Sequence, residues 1–318
     1  MYHGIINVYK EKGFTSHDVV AKLRGICKQK KIGHTGTLDP DAVGVLPVCL
    51  GSATKLCDML TDKEKEYIAV LLLGKVTDTQ DTTGEVLSEA TVTASVEEVR
   101  EAIFSFQGDY AQVPPMYSAL KVNGKKLYEL AREGKEVERV ARDVVIHELE
   151  ILEEDLPRVK IRVRCSKGTY IRTLCHDIGQ KLGCGGAMES LLRTKSGQFH
   201  LEEAHKLSEI QTYADEGRLE GLVIPVEKMF EKLPAVTAKE EALKALLNGN
   251  QLKKSEVVLP EGFSFTAPIS TGGETVAKAE AGAGVRVRMY SHEGTFFGVY
   301  EYQKERRLFS PFKMFFME

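Results

Sequence analysis

Short apolar runs and helical repeats alternate along the first quarter of the chain. The stretches "HGIINVYK" (residues 3–10), "VGVLPVCL" (43–50) and "KEYIAVLLLG" (65–74) are apolar runs of the length expected for buried strands. Between the first two, apolar residues from Val19 to Cys27 recur at helical spacing, and Ser16 stands where a helix N-cap is expected. The pattern predicts a strand, a helix and two further strands, in that order.

Local signals predict two more helices. "SATKLCDML" (residues 52–60) follows the second strand and is typical of a short helix. Ser95 and Glu98 form a capping box ahead of apolar residues at helical intervals. We therefore expect a helix to begin just after Ser95.

A strand and a helix are predicted to follow each other closely before residue 184. "RVKIRVRC" (158–165) alternates apolar with basic residues, the pattern of a half-buried strand. "TYIRTLCHDIGQKLG" (169–183) has apolar residues at helical intervals and ends at Gly183, a C-terminal stop. Tyr170 and Arg172 are thus expected in the first turn of a helix that begins directly after a strand, a suitable place for site residues.

The last part of the chain has the pattern of a separate, β-rich module. Thr237 and Glu240 form a further capping box before "ALKALLNGN". A loop rich in Gly and Ala (272–284) precedes a predicted hairpin, "VRVRMYSHEGTFFGVYEYQ" (285–303), and a final strand. We place the domain boundary between residues 232 and 233, which gives an α+β domain (1–232) and a small β-rich module (233–318).

Composition excludes several classes of protein. With 318 residues, 42% hydrophobic and 28% charged, the chain has the balance of a globular protein. No signal peptide is visible, and the apolar runs are far below the ~20 residues that cross a bilayer. The six cysteines include no C-x-x-C pair, so we expect free thiols in a reducing cytoplasm and neither a zinc site nor a disulfide framework.

Positive charge is concentrated locally although the formal net charge is −3. The first basic stripe is five cations in a segment without acidic residues: Lys22, Arg24, Lys28, Lys30 and Lys31. The second basic stripe comprises Lys121, Lys125, Lys126, Arg132, Lys135, Arg139 and Arg142. Each stripe is either a solvated face or a track for nucleic-acid phosphates.

The loop "GHTGTLDPDA" (33–42) holds the candidate chemistry. Gly, Thr, Asp and Pro are turn residues, so a plain turn is one interpretation of His34 and Asp39. Other chemistries lack their motifs: "GSATK" is not a complete phosphate loop, no G-x-S-x-G is present, and the histidines have no metal-ligand spacing. What remains is an aspartate in a loop, a neighbouring basic stripe, and Tyr67, Tyr170 and Arg172 on other elements.

Four long segments, in order, resemble the TruB family of tRNA pseudouridine-55 synthases. They are "GHTGTLDPDAVGVLPVCLGSATK" (33–55), "KEYIAVLLLGKVTDTQDTTGEV" (65–86), "QVPPMYSALKVNGKKLYELAREG" (112–134) and "RCSKGTYIRTLCHDIGQKLGCGGAMESLLRT" (164–194). The resemblance implies the pseudouridine synthase fold, an α+β architecture in which helices flank a mixed, largely antiparallel sheet. It also implies that residues 233–318 form a PUA-like RNA-binding module, although residues 260–284 match no family pattern.

The resemblance assigns roles to individual residues. Asp39 matches the catalytic aspartate, Arg172 the arginine that pairs with it, and Tyr67 the tyrosine that packs on the target base and assists loss of the proton at C5. His34 matches the residue that enters the RNA loop, and Tyr170 and Leu192 match walls of the uracil pocket. Lys55 lies in the signature without an assigned role. Three actions of Asp39 stay open: attack on the base, attack on C1′, or removal of a proton from C2′.

The implied substrate is uridine 55 in the T-loop of tRNA, which must be extruded from the RNA to be reached. The rearrangement needs no metal and no cofactor, and we expect none. We also expect a cytoplasmic monomer without an obligatory protein partner and without a membrane association. Two alternatives remain: a related synthase acting on another RNA with a guide, and a non-catalytic RNA-binding or folding protein.

Overall fold

The computed structural model describes residues 1–122, 124–265 and 284–316. In the first 232 residues, thirteen strands fall within the described ranges: β1 (Gly4–Lys10), β2 (Ile32–His34), β3 (Val43–Leu50), β4 (Lys65–Leu73), β5 (Lys75–Thr77), β6 (Val86–Glu89), β7 (Gly108–Gln112), β8 (Lys121–Val122), β9 (Lys125–Lys126), β10 (Arg142–Asp155), β11 (Arg158–Cys165), β12 (Gly186–Ser196) and β13 (Phe199–His200). The α-helices of this part are α1 (Ser16–Ile26), α2 (Cys57–Thr61), α3 (Val96–Phe104), α4 (Leu127–Arg132), α5 (Ile171–Lys181) and α6 (Leu207–Asp215).

One mixed sheet forms the centre of this domain. Within the described residues its strand order is β1-β3-β12-β4-β11-β10-β7, with β2 paired to β3 and β13 to β12. Every pairing in it is antiparallel except that of β12 with β3. The predicted α+β architecture with a largely antiparallel sheet is therefore confirmed.

Two apolar clusters bury opposite parts of the sheet. The alternating residues of β4 and β11 place one face against α3 and α5, in a cluster that contains Ala69, Ile161 and Leu174. At the other end, β1 and β3 pack against α1 and α6 through residues such as Val8 and Leu23. Helical and two-residue apolar periods thus produce the helices and strands that they predicted.

The N-cap of α1 differs from the prediction. Thr15, not Ser16, caps the helix: its Oγ1 accepts from Asp18 N at 3.1 Å, and Asp18 Oδ2 accepts from Thr15 N at 2.8 Å. Ser16 is instead buried, and its Oγ accepts a hydrogen bond from Leu38 N at 2.9 Å. The correction has a physical reason, because the Asp three residues after Thr15 completes a capping box that Ser16 cannot form.

The remaining part contains the elements β14 (Ala235–Ala238), α7 (Leu243–Leu247), β15 (Leu252–Lys253), β16 (Val257–Val258), β17 (Val285–Tyr290), β18 (Phe296–Gln303) and β19 (Leu308–Met314). Its strands make a second sheet in the order β15-β19-β18-β17-β14-β16, which confirms the β-rich module, the hairpin and the final strand. The predicted Thr237–Glu240 capping box is wrong, because Thr237 lies in β14 and pairs with Val258 and Tyr290. The predicted Gly- and Ala-rich loop lies, except for Gly284, outside the described residues.

The second sheet packs directly on the first domain. Val299 and Phe315 of the module share an apolar cluster with Ile5, Val45 and Phe230. Lys55 Nζ also donates to the carbonyl oxygen of Met314 at 2.8 Å, so the lysine of the signature segment contacts the last strand. Across the described part of the chain, no helix is both long and apolar enough to span a bilayer.

Candidate active site

Asp39 lies on the loop of residues 35–42, between β2 and β3. The backbone on either side of it is fixed to the start of the chain. Leu38 N donates to Ser16 Oγ at 2.9 Å, and Gly13 N donates to Pro40 O at 3.0 Å. The loop that carries the candidate carboxylate is therefore held in place by its surroundings and is more than a surface turn.

A glycine is required where this loop enters β3. Gly44 has φ of +107°, and a Cβ built there would lie 2.3 Å from the carbonyl oxygen of Arg193. Both facts exclude an L side chain, because the backbone conformation is strained and the contact is far inside van der Waals distance. Gly44 thus lets β3 approach β12 closely, just after the loop that carries Asp39.

Asp39 and Arg172 form a two-point ion pair. Arg172 Nε lies 2.9 Å from Asp39 Oδ2, and Arg172 Nη2 donates to Asp39 Oδ1 at 3.2 Å. The arginine side chain is 5% exposed, whereas that of Asp39 is 37% exposed and remains open to a substrate. A planar guanidinium can hold both carboxylate oxygens in this geometry and fix their orientation.

Arg172 is itself held by backbone carbonyls. Its Nη1 donates to Thr79 O at 2.9 Å, and its Nη2 donates to Tyr117 O at 2.8 Å. A second carboxylate, Asp81, lies 3.8 Å from Arg172 Nε. The side chain therefore cannot swing away from Asp39 without breaking several charge-assisted hydrogen bonds.

Burial and charge act in opposite directions on Asp39. Burial raises the pKa of its carboxyl, the Arg172 guanidinium lowers it, and the nearby Asp81 raises it again. The net pKa is raised above the usual range for aspartate. Arg172 is the main group that favours the ionised form here.

Tyr67 projects from β4 into the same region. It is 8% exposed and belongs to the apolar cluster that contains Leu38 and Leu191. Burial raises the pKa of the Tyr67 hydroxyl, and the Arg193 guanidinium opposes this rise. Tyr67 thus presents a neutral, largely desolvated phenol beside the loop of Asp39.

His34 and Tyr170 stand at the borders of the site. His34 ends β2 and is half-buried, and burial lowers its pKa. Its Nδ1 accepts from Gly36 N at 3.3 Å. Tyr170 is the N-cap of α5 and therefore lies just before the first turn in which it was predicted. Its N donates to Gln112 Oε1 at 2.8 Å, and its carbonyl oxygen accepts from Gln112 Nε2 at 3.0 Å. The structure therefore places both on elements adjacent to Asp39 and Arg172.

Leu192 does not join this group. On β12 its Cα pairs with Ile68, whereas Leu191 pairs with Ala69 and Arg193 pairs with Tyr67. Since neighbouring strand residues point to opposite faces, Leu191 and not Leu192 shares the face of Tyr67. Leu191 is buried in the cluster with Tyr67, so it replaces Leu192 as the predicted pocket wall.

Two buried cations beside the loop were missed by the sequence analysis. Lys10 is fully buried, and its Nζ donates to Pro40 O at 3.0 Å and to Ala42 O at 2.5 Å. Arg193 is 1% exposed and donates from Nε to Val45 O at 2.7 Å. Lys10 lies on the side of β1 that carries Ile6 and Val8, and Arg193 lies on the side of β12 that carries Leu191, so each cation extends a buried row.

The two basic stripes differ in their partners. Within the described ranges, the five cations of the first basic stripe are exposed and none forms an ion pair. In the second basic stripe, Lys125 and Lys135 contact Glu133 at 3.6 and 2.7 Å, and Arg139 contacts Glu136. The first stripe therefore offers more uncompensated charge to a polyanion.

The described residues hold no cluster of metal ligands, and their cavity lies away from Asp39. No group of three His, Cys, Asp or Glu side chains suited to a metal ion occurs among residues 1–122, 124–265 and 284–316. A cavity of about 510 Å³ lies at the far end of β4, between Leu73, Val92 and Pro157, and includes none of the residues around Asp39. The residues that line the cavity include no carboxylate, histidine or cysteine.

Comparison with protein families identifies two matching segments. Residues 24–171 match the TruB family pseudouridylate synthase N-terminal domain, and residues 172–231 match the tRNA pseudouridylate synthase B C-terminal domain. Three similar curated proteins are each named tRNA pseudouridine synthase B. The protein from Lachnoclostridium phytofermentans is 52% identical over 98% of this chain and 99% of its own length. The protein from Alkaliphilus oremlandii is 48% identical over 80% of this chain and 85% of its own length. The protein from Bacillus pumilus is 45% identical over 84% of this chain and 87% of its own length.

Solved structures share the fold over nearly the whole chain. A chain in a Cbf5-Nop10-Gar1 complex has a TM-score of 0.68 and 28% identity, and 99% of this chain and 85% of that chain are covered. A chain in an H/ACA RNP bound to a substrate RNA containing 2'-deoxyuridine has a TM-score of 0.67 and 26% identity, with 99% and 86% covered. The expected pseudouridine synthase fold is thereby confirmed. The chain is therefore an enzyme of the TruB family of pseudouridylate synthases.

Proposed function

We propose that this enzyme converts uridine to pseudouridine at position 55, in the T-loop of tRNA. The observation that carries the proposal is the two-point pairing of Asp39 with the buried Arg172, beside Tyr67. The names of relatives 45–52% identical to this chain support tRNA as the substrate. The T-loop assignment rests on the resemblance of residues 33–55 to the family signature.

The reaction is an isomerisation whose atoms balance within the substrate. The bond between N1 of uracil and C1′ breaks, the uracil turns, and a bond between C5 and C1′ forms. A proton leaves C5 and N1 ends with one, so there is no net oxidation or reduction. One ionised carboxylate suffices as nucleophile or base, and Asp39 supplies it.

Arg172 keeps that carboxylate ionised in a desolvated place. Burial alone would favour the protonated form, which is a weaker nucleophile and base. The bidentate contact opposes this tendency and also fixes the orientation of both oxygens of Asp39. Arg172 is therefore assigned to charge and orientation, and Asp39 to the bond changes.

Tyr67, Tyr170 and Leu191 are proposed to enclose the uracil. An apolar and aromatic lining can receive the flat base, and the Tyr67 hydroxyl would assist loss of the proton from C5. The uridine must leave its stack, at a cost of a few kcal/mol, before it can reach them. His34, at the end of β2, would enter the space that the extruded nucleotide leaves in the RNA loop.

The RNA backbone would be held by the first basic stripe and by the C-terminal module. The five cations of the stripe are exposed, and the stripe lies just before His34 in the chain. We keep the division into a catalytic domain (1–232) and a PUA-like module (233–318) as a proposal. It is supported by the second sheet, whose described strands all fall between residues 235 and 314.

A direct test is to incubate the purified protein with an unmodified tRNA transcript, without metal ions or other proteins, and to map pseudouridine. We expect pseudouridine at one position, 55. We also expect that the active protein is a monomer and that it acts in the cytoplasm. Product at another uridine would reassign the substrate. Product only after addition of a guide RNA and partner proteins would favour the alternative suggested by the likeness to the H/ACA complexes. Binding without product would favour the RNA-binding alternative.

A further inference from the structure

Arg193 is a buried arginine in which one guanidinium nitrogen is unused. Its Nε donates to Val45 O at 2.7 Å, and its Nη1 reaches Thr37 O at 3.5 Å. These two carbonyls lie on either side of Asp39 in the chain, one in its loop and one in β3. Its Nη2 is buried and, within the described residues, has no hydrogen-bond partner.

An unpaired guanidinium nitrogen in the interior is costly. Burying a donor without an acceptor forfeits its hydration, and the cost is larger for a charged group. Arginine also cannot lose its charge in a protein. A donor kept in this state therefore points to an acceptor that it meets through a small rotation of the side chain.

Tyr67 is the acceptor that the geometry offers. The two residues are Cα partners across β12 and β4, so their side chains lie side by side on one face of the sheet. The Arg193 guanidinium is close enough to the Tyr67 hydroxyl to oppose the effect of burial on it. Leu38 and Leu191 close the same space with apolar surface.

We propose that Arg193 is a positioning residue whose Nη2 donates to the hydroxyl oxygen of Tyr67 and ties that side chain to the Asp39 loop. The hydroxyl oxygen then accepts from Arg193, so its own hydrogen points away from the guanidinium, into the site. One arginine thereby sets both the place of Asp39 and the direction of the Tyr67 hydroxyl. The effect on catalysis rests on the proposed function, whereas the hydrogen bond itself does not.

The hydrogen bond is tested by NMR on the free, full-length protein labelled with ¹³Cζ-tyrosine. The Tyr67 resonance is assigned by its disappearance in Tyr67→Phe. We expect Arg193→Met to move this resonance by more than its linewidth, because the hydroxyl is deprived of a charged donor. Arg193→Lys covers the case in which Arg193→Met does not fold, since an ammonium cannot serve Val45 O, Thr37 O and Tyr67 together.

Lys10→Met is the matched control. Lys10 is buried and donates to two carbonyls of the same loop, but it lies on β1, which pairs with β3 and with neither β12 nor β4. We expect the Tyr67 resonance to stay in place in this variant even if the loop is loosened. An unmoved resonance in Arg193→Met and Arg193→Lys, or an equal shift in Lys10→Met, would overturn the proposal.

Single-turnover kinetics test the consequence for the reaction. We expect Arg193→Met to lower kcat by about tenfold or more, as expected when a charged hydrogen bond is removed, with little change in KM. In the Tyr67→Phe background the same change should have a much smaller effect, because the acceptor is already gone. Equal decreases in both backgrounds would mean a purely structural role. If Tyr67→Phe has no measurable turnover, the NMR shift alone tests the hydrogen bond between Arg193 and Tyr67. If the wild-type protein forms no pseudouridine, the proposed function is refuted, but the hydrogen bond is not.

Discussion

Arg172 Nε lies 2.9 Å from Asp39 Oδ2, and these two residues are 133 positions apart in the sequence. The loop after β2 supplies the carboxylate, and the first turn of α5 supplies the guanidinium. The arginine is almost fully buried, while the aspartate keeps a third of its side-chain surface open. The pair thus combines a fixed charge with an accessible oxygen, which the proposed chemistry requires.

Arg172→Lys is expected to lower kcat by about tenfold to a hundredfold, because an ammonium cannot make the planar two-point contact or replace the bonds to Thr79 O and Tyr117 O. Single-turnover assays on tRNA measure this. Arg158→Lys is the matched control, since Arg158 also binds a carboxylate through two nitrogens, that of Glu189, but is half exposed and far from the site. Equal effects of the two substitutions would contradict the role given to Arg172.

Lys28→Glu combined with Lys31→Glu is expected to weaken tRNA binding and to flatten its dependence on salt. If both lysines bind phosphates, the log–log slope falls by roughly 0.7–0.9 for each phosphate that is no longer neutralised. Binding is measured from low to moderate salt. The control variant, Lys228→Glu with Lys232→Glu, makes the same change of net charge outside the stripe. If the salt dependence of tRNA binding has the same slope in both double variants, the first basic stripe is a solvated face and does not bind phosphates.

Arg306→Glu combined with Arg307→Glu is expected to raise KM for tRNA by about three- to tenfold at low salt while kcat is retained. Both arginines are exposed between β18 and β19 of the module. Deleting the module is a poorer experiment, because Val299 and Phe315 pack with Phe230 and their removal would uncover an apolar surface. Steady-state kinetics measure both constants. A large decrease of kcat with an unchanged KM would contradict a binding role of the module.

Lys10 is expected to make stability depend on pH. Burial lowers its pKa from 10.5 to about 8. Between these values the unfolded chain holds a proton that the folded protein has released, so this group's contribution to stability rises with pH across that window and is constant below it. The free energy of unfolding of wild type minus that of Lys10→Met should therefore increase from pH 8 to 10, by at most about 1.4 kcal/mol per pH unit. A difference that is flat or falls would refute the burial effect.

Periodicity in the sequence is sufficient for the main elements of the first domain. Strands β1, β3, β4 and β11 and the helix α5 follow their patterns because each buries one side against a large cluster. The N-cap of a helix is predicted less securely from the sequence. Thr15 and Ser16 can both cap α1, and only the position of Asp18 decides between them. Thr237 shows that a local helix signal can also fail completely, because the pairing of its strand with β16 and β17 overrides the predicted capping box.

The candidate site could be predicted only in part. Asp39, Tyr67 and Arg172 were found through the family signature, whereas the choice between Leu191 and Leu192 depends on the pairing of β12 with β4. That pairing contains two register shifts, between Met188 and Ser190 and between Arg193 and Lys195, which no sequence pattern reveals. Arg193 and Lys10 escaped notice because a cation in an alternating strand is usually placed on the exposed side.

The proposed catalysis depends most directly on Asp39. Asp39→Asn tests this role when pseudouridine mapping, tRNA affinity and thermal unfolding are measured on the same preparation. The substitution keeps the size of the side chain and removes the charge and the nucleophilic oxygen. Asp41→Asn is the matched control, because Asp41 lies in the same loop, is half exposed and contacts only Lys12, at 3.7 Å, among the ion pairs of the described residues. We predict that Asp39→Asn reduces pseudouridine formation to background while the Kd for tRNA changes by no more than a few-fold, because phosphate and stacking contacts supply most of the binding. Near-normal product formation by Asp39→Asn, or a loss of folding and binding together with activity, would contradict the assignment.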